Sequence, residues 1–174
     1  MAETARILAN GGLVSNLTPI RTPCIGVCST GIGDAVCRGC KRFAHEVIDW
    51  NGYSTEQKRA IDARLDEFLA KCVANKLRIV DPGLLSWQLS VQKIRHQPHH
   101  DPHCHLFALL KAGAKQITAP EQFGFEVLPR YRDVTLMQLR DQIDEEFWVL
   151  SAAHYDRYIS TRDLFPEQVP EALR

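Results

Sequence analysis

Four of the six cysteines lie within one short, glycine-containing loop, Pro23 to Cys40, and this loop constrains the fold more than any other part of the sequence. Cys24, Cys28, Cys37 and Cys40 follow the spacing C-x3-C-x8-C-x2-C. Such a loop has no core for cysteine side chains to fill, whereas closely spaced thiolates can hold one metal centre. We therefore predict a metal site on these four cysteines. The alternatives are a redox loop that forms a disulfide and a set of unliganded thiols.

The identity of the metal stays open at this point. Tetrahedral sulfur sites hold either zinc or iron–sulfur clusters. Cys37-x2-Cys40 is typical of half a zinc site, but the x3 spacing between Cys24 and Cys28 is not. The three spacings also differ from the C-x2-C-x2-C-x3-C run of bacterial ferredoxins. The chemistry of the loop alone therefore divides evenly between the two kinds of centre.

Charge and hydropathy exclude several classes of protein. The 174 residues are 45% apolar and 24% charged, with a formal net charge of +0, which does not indicate a nucleic-acid partner. No apolar run approaches the ~20 residues of a membrane helix, and the first residues do not have the pattern of a signal peptide. We expect a cytoplasmic protein, because thiols stay reduced there. The expected partner is another protein.

Two helices are predicted to follow the cysteine loop. The first covers about Lys41 to Trp50, and the second begins at a capping box of Ser54 and Gln57 and ends near Asn75. A loop clamped by two helices is too small to be stable by burial alone. A bound metal would add about 10–16 kcal/mol, by analogy with zinc-finger peptides.

The remaining sequence predicts more helices and little else. Asp81-Pro82 and Asp101-Pro102 are typical helix starts. The first is predicted to open a helix that ends near His96, with an apolar face of Leu84, Trp87, Val91 and Ile94. A long helix is predicted from about Thr135 to Ile159. Leu77 to Val80 could be a short extended link, and Phe123 to Leu128 could form a strand. We predict a mainly α fold, in which a helical domain with at most a short strand or hairpin follows the cysteine-rich unit. The predicted divisions are a flexible N-terminal tail at 1–22, a four-cysteine metal-binding module at 23–75 and a helical C-terminal domain at 76–174.

The cysteine loop and the helices after it resemble a known family. The motifs PCIGVC and CRGC, the aromatic-bearing helix ending in Trp50 and the capped helix after it are similar to the bacterial family called domain of unknown function 1289. The resemblance covers about residues 22–72. Members of this family are commonly labelled predicted iron–sulfur proteins, so the resemblance implies that Cys24, Cys28, Cys37 and Cys40 are the ligand set. It implies no reaction.

A second group of potential metal ligands lies in the turn HQPHHDPHCH. His96, His99, His100, His103 and His105 occur there with Asp101 and Cys104. Imidazoles at these spacings could bind zinc, nickel or copper, and a metal-dependent enzyme centred on His99 to His105 is one hypothesis. The plainer alternative is a solvated loop and helix start. The acidic run at 141–146 is interpreted as a solvated helix face, and Cys72 as a core residue.

The sequence favours a binding or accessory protein over an enzyme, since it contains no phosphate-binding loop and no nucleophile elbow. The leading hypothesis is a cytosolic protein with a four-cysteine centre, an iron–sulfur cluster slightly favoured, that acts as a redox, sensor or accessory module. The first alternative is an interaction module with a structural zinc. The second is the metal-dependent enzyme that uses His99 to His105.

Overall fold

A computed structural model describes residues 20–160, so most of the predicted tail at 1–22 and the last residues of the chain lie outside it. The described part is mainly helical, which confirms the predicted fold class. It contains five α-helices: α1 (Ala44–Ile48), α2 (Thr55–Ala74), α3 (Pro82–Val91), α4 (Pro102–Gly113) and α5 (Leu136–Tyr155). Two short strands, β1 (Leu77–Ile79) and β2 (Phe125–Val127), complete it.

Three of these helices, α2, α3 and α4, begin with the side-chain caps that the sequence predicts. At the start of α2, Ser54 Oγ accepts from the backbone N–H of Gln57 at 3.2 Å, and the Gln57 side chain accepts from the N–H of Ser54 at 2.9 Å. Asp81 accepts from the N–H of Leu84 at 2.9 Å at the start of α3. Asp101 accepts from the N–H of His103 at 2.8 Å at the start of α4. These contacts satisfy N–H groups that a helix start leaves unpaired.

The strands pair antiparallel, with Leu77 opposite Val127 and Ile79 opposite Phe125. Both segments were predicted to be extended, but their partnership was not. Gly124 closes this ribbon against α3, because its carbonyl oxygen accepts from the N–H groups of Val80 at 2.9 Å and Asp81 at 3.0 Å. The ribbon thereby fixes the chain between α2 and α3.

One hydrophobic core joins the helices. α2 packs against α4 and α5, and α4 packs against α3 and α5. The most deeply buried side chains come from both of the predicted modules; they include Phe43, Val73, Leu77, Leu106, Leu110, Phe125, Leu139 and Ile143. Cys72 is buried on α2 as predicted. The proposed division at residues 75 and 76 stays a prediction, but the packing shows that side chains on either side of it share a core.

Two predicted helices differ from the structure. α3 ends at Val91 rather than near His96, because the chain turns at Lys93 with a φ of 53°. Trp87 and Val91, assigned to its apolar face, are 58% and 55% exposed, while Leu85 and Leu89 are buried. The first helix is shorter than Lys41 to Trp50, because residues up to Phe43 belong to a bridged turn.

Within residues 20–160, none of the helices combines the length and apolar character needed to cross a bilayer.

Candidate metal centre

Cys37 and Cys40 sit in a turn that the backbone holds closed. The N–H of Cys37 donates to the carbonyl oxygen of Arg42 at 2.8 Å, and the N–H of Lys41 donates to that of Cys37 at 2.8 Å. Val36 and Phe43 form an isolated antiparallel bridge just outside this turn. Lys41 has a φ of 60°, a left-handed conformation that non-glycine residues adopt only where the surroundings enforce it. The turn therefore presents the second cysteine pair in a defined geometry.

The two cysteine pairs come together at Gly39. A Cβ atom built on Gly39 would lie 2.5 Å from the carbonyl oxygen of Val27 and 3.1 Å from Cγ1 of Ile25. Residues 25–27 lie between the first two cysteines, and Gly39 lies between the last two. The absence of a side chain at position 39 thus allows the two halves of the loop to touch. This contact is the structural basis on which four thiols could share one centre.

Cys37 lies in an environment that stabilises a thiolate. Burial alone would raise its pKa, but the N–H groups of Cys40, Ser29 and Gly39, together with the Cys40 thiol, lower it to about 7. Backbone N–H groups directed at sulfur are the outer contacts that sulfur-ligated metal sites use. A thiol that ionises near neutral pH is prepared to bind a cation without a large cost of deprotonation.

Cys40 has a different environment. Burial raises the pKa of its thiol, and Arg42 opposes this by donating from Nε to the sulfur at 3.4 Å. The guanidinium group stacks over Trp50 at 4.7 Å, and its buried Nη1 atom has no hydrogen-bond partner among the described residues. A buried donor that lacks a partner and lies beside a thiol suits a site that is negatively charged when it holds its metal.

Cys24 and Cys28 are exposed on the other half of the loop. The N–H of Gly26 donates to the Cys24 sulfur at 3.5 Å, and the Cys28 sulfur lies 3.0 Å from Oγ1 of Thr30. Among residues 20–160, no three of the four sulfurs lie within 4.8 Å of one another. The structure brings the two halves of the loop into contact, and joint binding of one centre by the four cysteines stays a prediction.

Helix α5 contacts the cysteine loop through Trp148 and Asp144. Trp148 Nε1 donates to the carbonyl oxygen of Val36 at 3.1 Å, and its ring lies 4.1 Å from the guanidinium of Arg38. The Lys41 ammonium group, almost fully buried, pairs with Asp144 at 2.6 Å. Two residues further along α5, Glu146 pairs with buried Lys76 at 2.5 Å. The Asp144 and Glu146 side chains are 48% and 47% exposed, so the acidic run lies on a solvated face as expected, although each of these two carboxylates also neutralises a buried lysine.

The side chains of the five histidines in this turn do not all converge on one point. His99 and His100 approach Asp62 on α2, with Nε2 to Oδ2 distances of 2.8 and 3.0 Å. His103 Nδ1 lies 2.8 Å from its own cap residue Asp101, while His105 bonds the carbonyl oxygen of Gln97 and its ring packs on His96. Cys104 is buried and donates to the carbonyl oxygen of Asp66 at 3.3 Å, so it does not join the histidines.

Asp62 is the residue that the sequence analysis missed. It is buried although it is charged, and it follows Ile61 on the apolar side of α2. A carboxylate on a predicted core face is the signal that would have singled it out, because such a group needs a partner. The two imidazoles hold the pKa of Asp62 below its usual range in spite of its burial, and the pKa of His100 is raised by the same contact.

An open cavity of about 1110 Å³ connects the two groups of potential ligands. Cys24, Cys40 and Lys41 contribute to one part of its wall, and Asp62 and His100 contribute to another. Both groups therefore face the same solvent-filled space.

Comparison with known proteins identifies the N-terminal part of the chain. No curated protein and no solved structure matches the chain. A family model does match, over residues 22–69, which include all four cysteines of the loop and most of α2. The resemblance inferred from the cysteine motifs is thus confirmed, over nearly the expected range: residues 22–69 match the model of the family described as "Protein of unknown function (DUF1289)".

Proposed function

We propose that this is a metal-binding protein whose centre, an iron–sulfur cluster, is held by Cys24, Cys28, Cys37 and Cys40. In this proposal the protein serves as a redox, sensor or accessory module for another protein. The observation that carries the proposal is the contact of Gly39 with Val27, because it joins the two cysteine pairs. The N–H groups around Cys37 and the guanidinium beside Cys40 suit thiolates in that position.

The arrangement of the sulfurs is compatible with a cluster. Four thiolates bound to zinc at 2.3 Å in a tetrahedron would lie about 3.8 Å apart. In the described part of the chain, the cysteine sulfurs do not form a group of three even within 4.8 Å. In a cluster the four thiolates are divided between two or four irons, so no three of the sulfurs need to lie around one ion. The resemblance to a family labelled as iron–sulfur proteins points in the same direction.

The exposure of the first cysteine pair supports a role with a partner protein. Ile25 and Val27, which lie between these two cysteines, are 55% and 70% exposed. A centre whose outer ligands reach the surface can exchange electrons or sense its surroundings without a long path through the protein. Solvent exposure and hydrogen bonds to sulfur are also the factors that set a cluster's potential.

A structural zinc in an interaction module is the second candidate. The closed turn at Cys37 to Cys40 supports it, because such backbone-locked cysteine pairs suit a closed tetrahedral site. The enzyme hypothesis for His99 to His105 stays a prediction, since the side chains of this cluster point to separate partners.

Metal analysis separates the candidates. The full chain is purified without oxygen, and iron, acid-labile sulfide and zinc are counted per chain. Iron and sulfide in matched amounts, lost in Cys37→Ser, support the cluster. One zinc per chain without sulfide favours the interaction module and refutes the cluster. Cys104→Ser is the matched control, because a hydroxyl can keep the hydrogen bond to Asp66 while the four-cysteine set stays intact.

The same variants test whether the centre is structural. We expect Cys37→Ser to be cut faster by protease in the segment before Asp81, because the loop then lacks its metal. Equal resistance of Cys37→Ser and Cys104→Ser, with the metal absent from the former, would contradict a structural role for the centre.

A further inference from the structure

Asp62, His99 and His100 form a cluster of three metal-ligating atoms away from the cysteine loop. The Asp62 Oδ2, His99 Nε2 and His100 Nε2 atoms all lie within 4.8 Å of one another. Two imidazole nitrogens therefore approach a single carboxylate oxygen, at 2.8 and 3.0 Å. A cation that binds two imidazoles and a carboxylate needs its ligand atoms at about this mutual separation.

Neighbouring contacts hold the ligands in place. Asp66, one helical turn after Asp62, accepts from the N–H of Asp101 with both carboxylate oxygens, at 3.1 and 3.2 Å. Asp101 in turn caps α4, directly after the histidine pair. The histidine turn is thus fixed both to α2, which carries Asp62, and to the start of α4. A site built between two anchored helices is better preorganised than one on a free loop.

Asp66 also takes the position of an outer-shell partner. Its Oδ1 atom lies 3.7 Å from Nδ1 of His100, the ring nitrogen that faces away from Asp62. Histidines that bind metals commonly direct their second nitrogen at a carboxylate, which fixes the ring and increases its basicity. At 3.7 Å this contact is within ion-pair distance but beyond hydrogen-bond distance, so Asp66 places a negative charge beside the second nitrogen of His100.

Exposure leaves room for further ligands. The Asp62 and His100 side chains are 12% and 21% exposed, whereas His99 is 53% exposed. Asp62 and His100 also face the cavity of about 1110 Å³. Three protein ligands with an open side are the pattern of sites that accept water or a small molecule as an additional ligand.

We propose that Asp62, His99 and His100 bind a divalent first-row transition metal such as Zn²⁺, independently of the cysteine centre. Two imidazoles and one carboxylate select borderline cations of this kind over Mg²⁺ and Ca²⁺, which prefer all-oxygen ligands. The site lies on the wall of the cavity that Cys24 and Cys40 also line. Its existence does not depend on which metal the cysteines hold.

Zinc binding to the full chain tests the proposal. Zn²⁺ bound in equilibrium dialysis is counted beyond the metal that the purified protein retains. We expect one additional equivalent in the unaltered protein and in Cys37→Ser, and its loss in His99→Ala/His100→Ala. His103→Ala is the matched control, since His103 belongs to the same turn but pairs with Asp101. Excess Mg²⁺ should not displace the ion.

Asp66→Asn probes the outer contact, and we expect it to weaken zinc binding by about 10–100-fold. Retention of the additional equivalent in His99→Ala/His100→Ala would overturn the proposal, as would its equal loss in His103→Ala. A measurement on the unaltered chain covers the case in which the double variant does not fold. Imidazole ¹⁵N resonances of His99 and His100 should shift on addition of Zn²⁺ while those of His103 stay unchanged. Unmoved resonances at saturating Zn²⁺ would refute the site.

Discussion

Replacement of Gly39 by alanine should separate the two cysteine pairs. The added Cβ would start 2.5 Å from the Val27 carbonyl oxygen, and an ordinary contact begins at 3.4 Å, so the two halves of the loop must part by about 0.9 Å. The obstacle is a backbone atom, which cannot rotate away as a flexible side chain can. Overpacking of this kind costs about 1–3 kcal/mol. A displacement of this size also disturbs ligand atoms that must keep a fixed geometry.

Gly31→Ala is the matched control, because Gly31 lies in the same loop and a Cβ there meets no atom within 4 Å. Urea unfolding of the full chain should show Gly39→Ala destabilised by about 1–3 kcal/mol and Gly31→Ala by less than about 0.5 kcal/mol. Metal content per chain should fall in Gly39→Ala alone. If the two variants retain equal metal and equal stability, the contact at Gly39 does not hold the cysteine pairs together.

Three further predictions concern stability. Gly124→Ala should destabilise the protein by at least about 1–2 kcal/mol in urea unfolding, because position 124 has a φ of 79° and its Cβ would lie 2.3 Å from the Asp81 carbonyl oxygen; an unchanged midpoint would contradict this. Glu46→Ala should cost about 3–5 kcal/mol, since it removes a buried carboxylate and leaves the partly buried Arg64 without the group that binds it through two contacts of 2.7 Å. Glu67→Ala, which removes an exposed pair with Lys71, should leave the urea midpoint nearly unchanged, and similar losses in both variants would refute the distinction. Burial and the nearby Arg64 lower the pKa of His154, so the unfolded chain binds more protons and stability should fall as pH drops through about 6.5. His154→Phe should reduce this slope in urea unfolding at a series of pH values, and an identical slope would show that His154 does not cause it.

Local signals in the sequence predicted much of the fold. The caps at Ser54, Asp81 and Asp101 depend on residues only two or three positions apart, so no tertiary information is needed to find them. The face of α3 was misjudged because apolar residues occur on both sides of this short helix. Leu85 and Leu89 are buried only because of where α4 and the ribbon lie, which periodicity cannot tell.

The candidate sites were predictable only in part. The cysteine spacing pointed to one loop, but the close approach at Gly39 joins segments that a sequence pattern treats as separate. The contact of Asp62 with His99 and His100 spans more than thirty-five residues. Likewise, Lys41 and Asp144 are 103 residues apart, so the acidic run gave no sign of its buried partner. The sequence pattern therefore did not indicate which charged side chains pair across long stretches of the chain.

The segment that matches the family ends at Leu69, inside α2, which continues to Ala74. The buried side chains of this helix face α4 and α5, both of which lie beyond the match. A fragment that ends at residue 69 would therefore lack the end of α2 and would expose the apolar side chains of this helix to water. We expect such a fragment to aggregate or unfold. A fragment made to study the cysteine loop must therefore extend through α5.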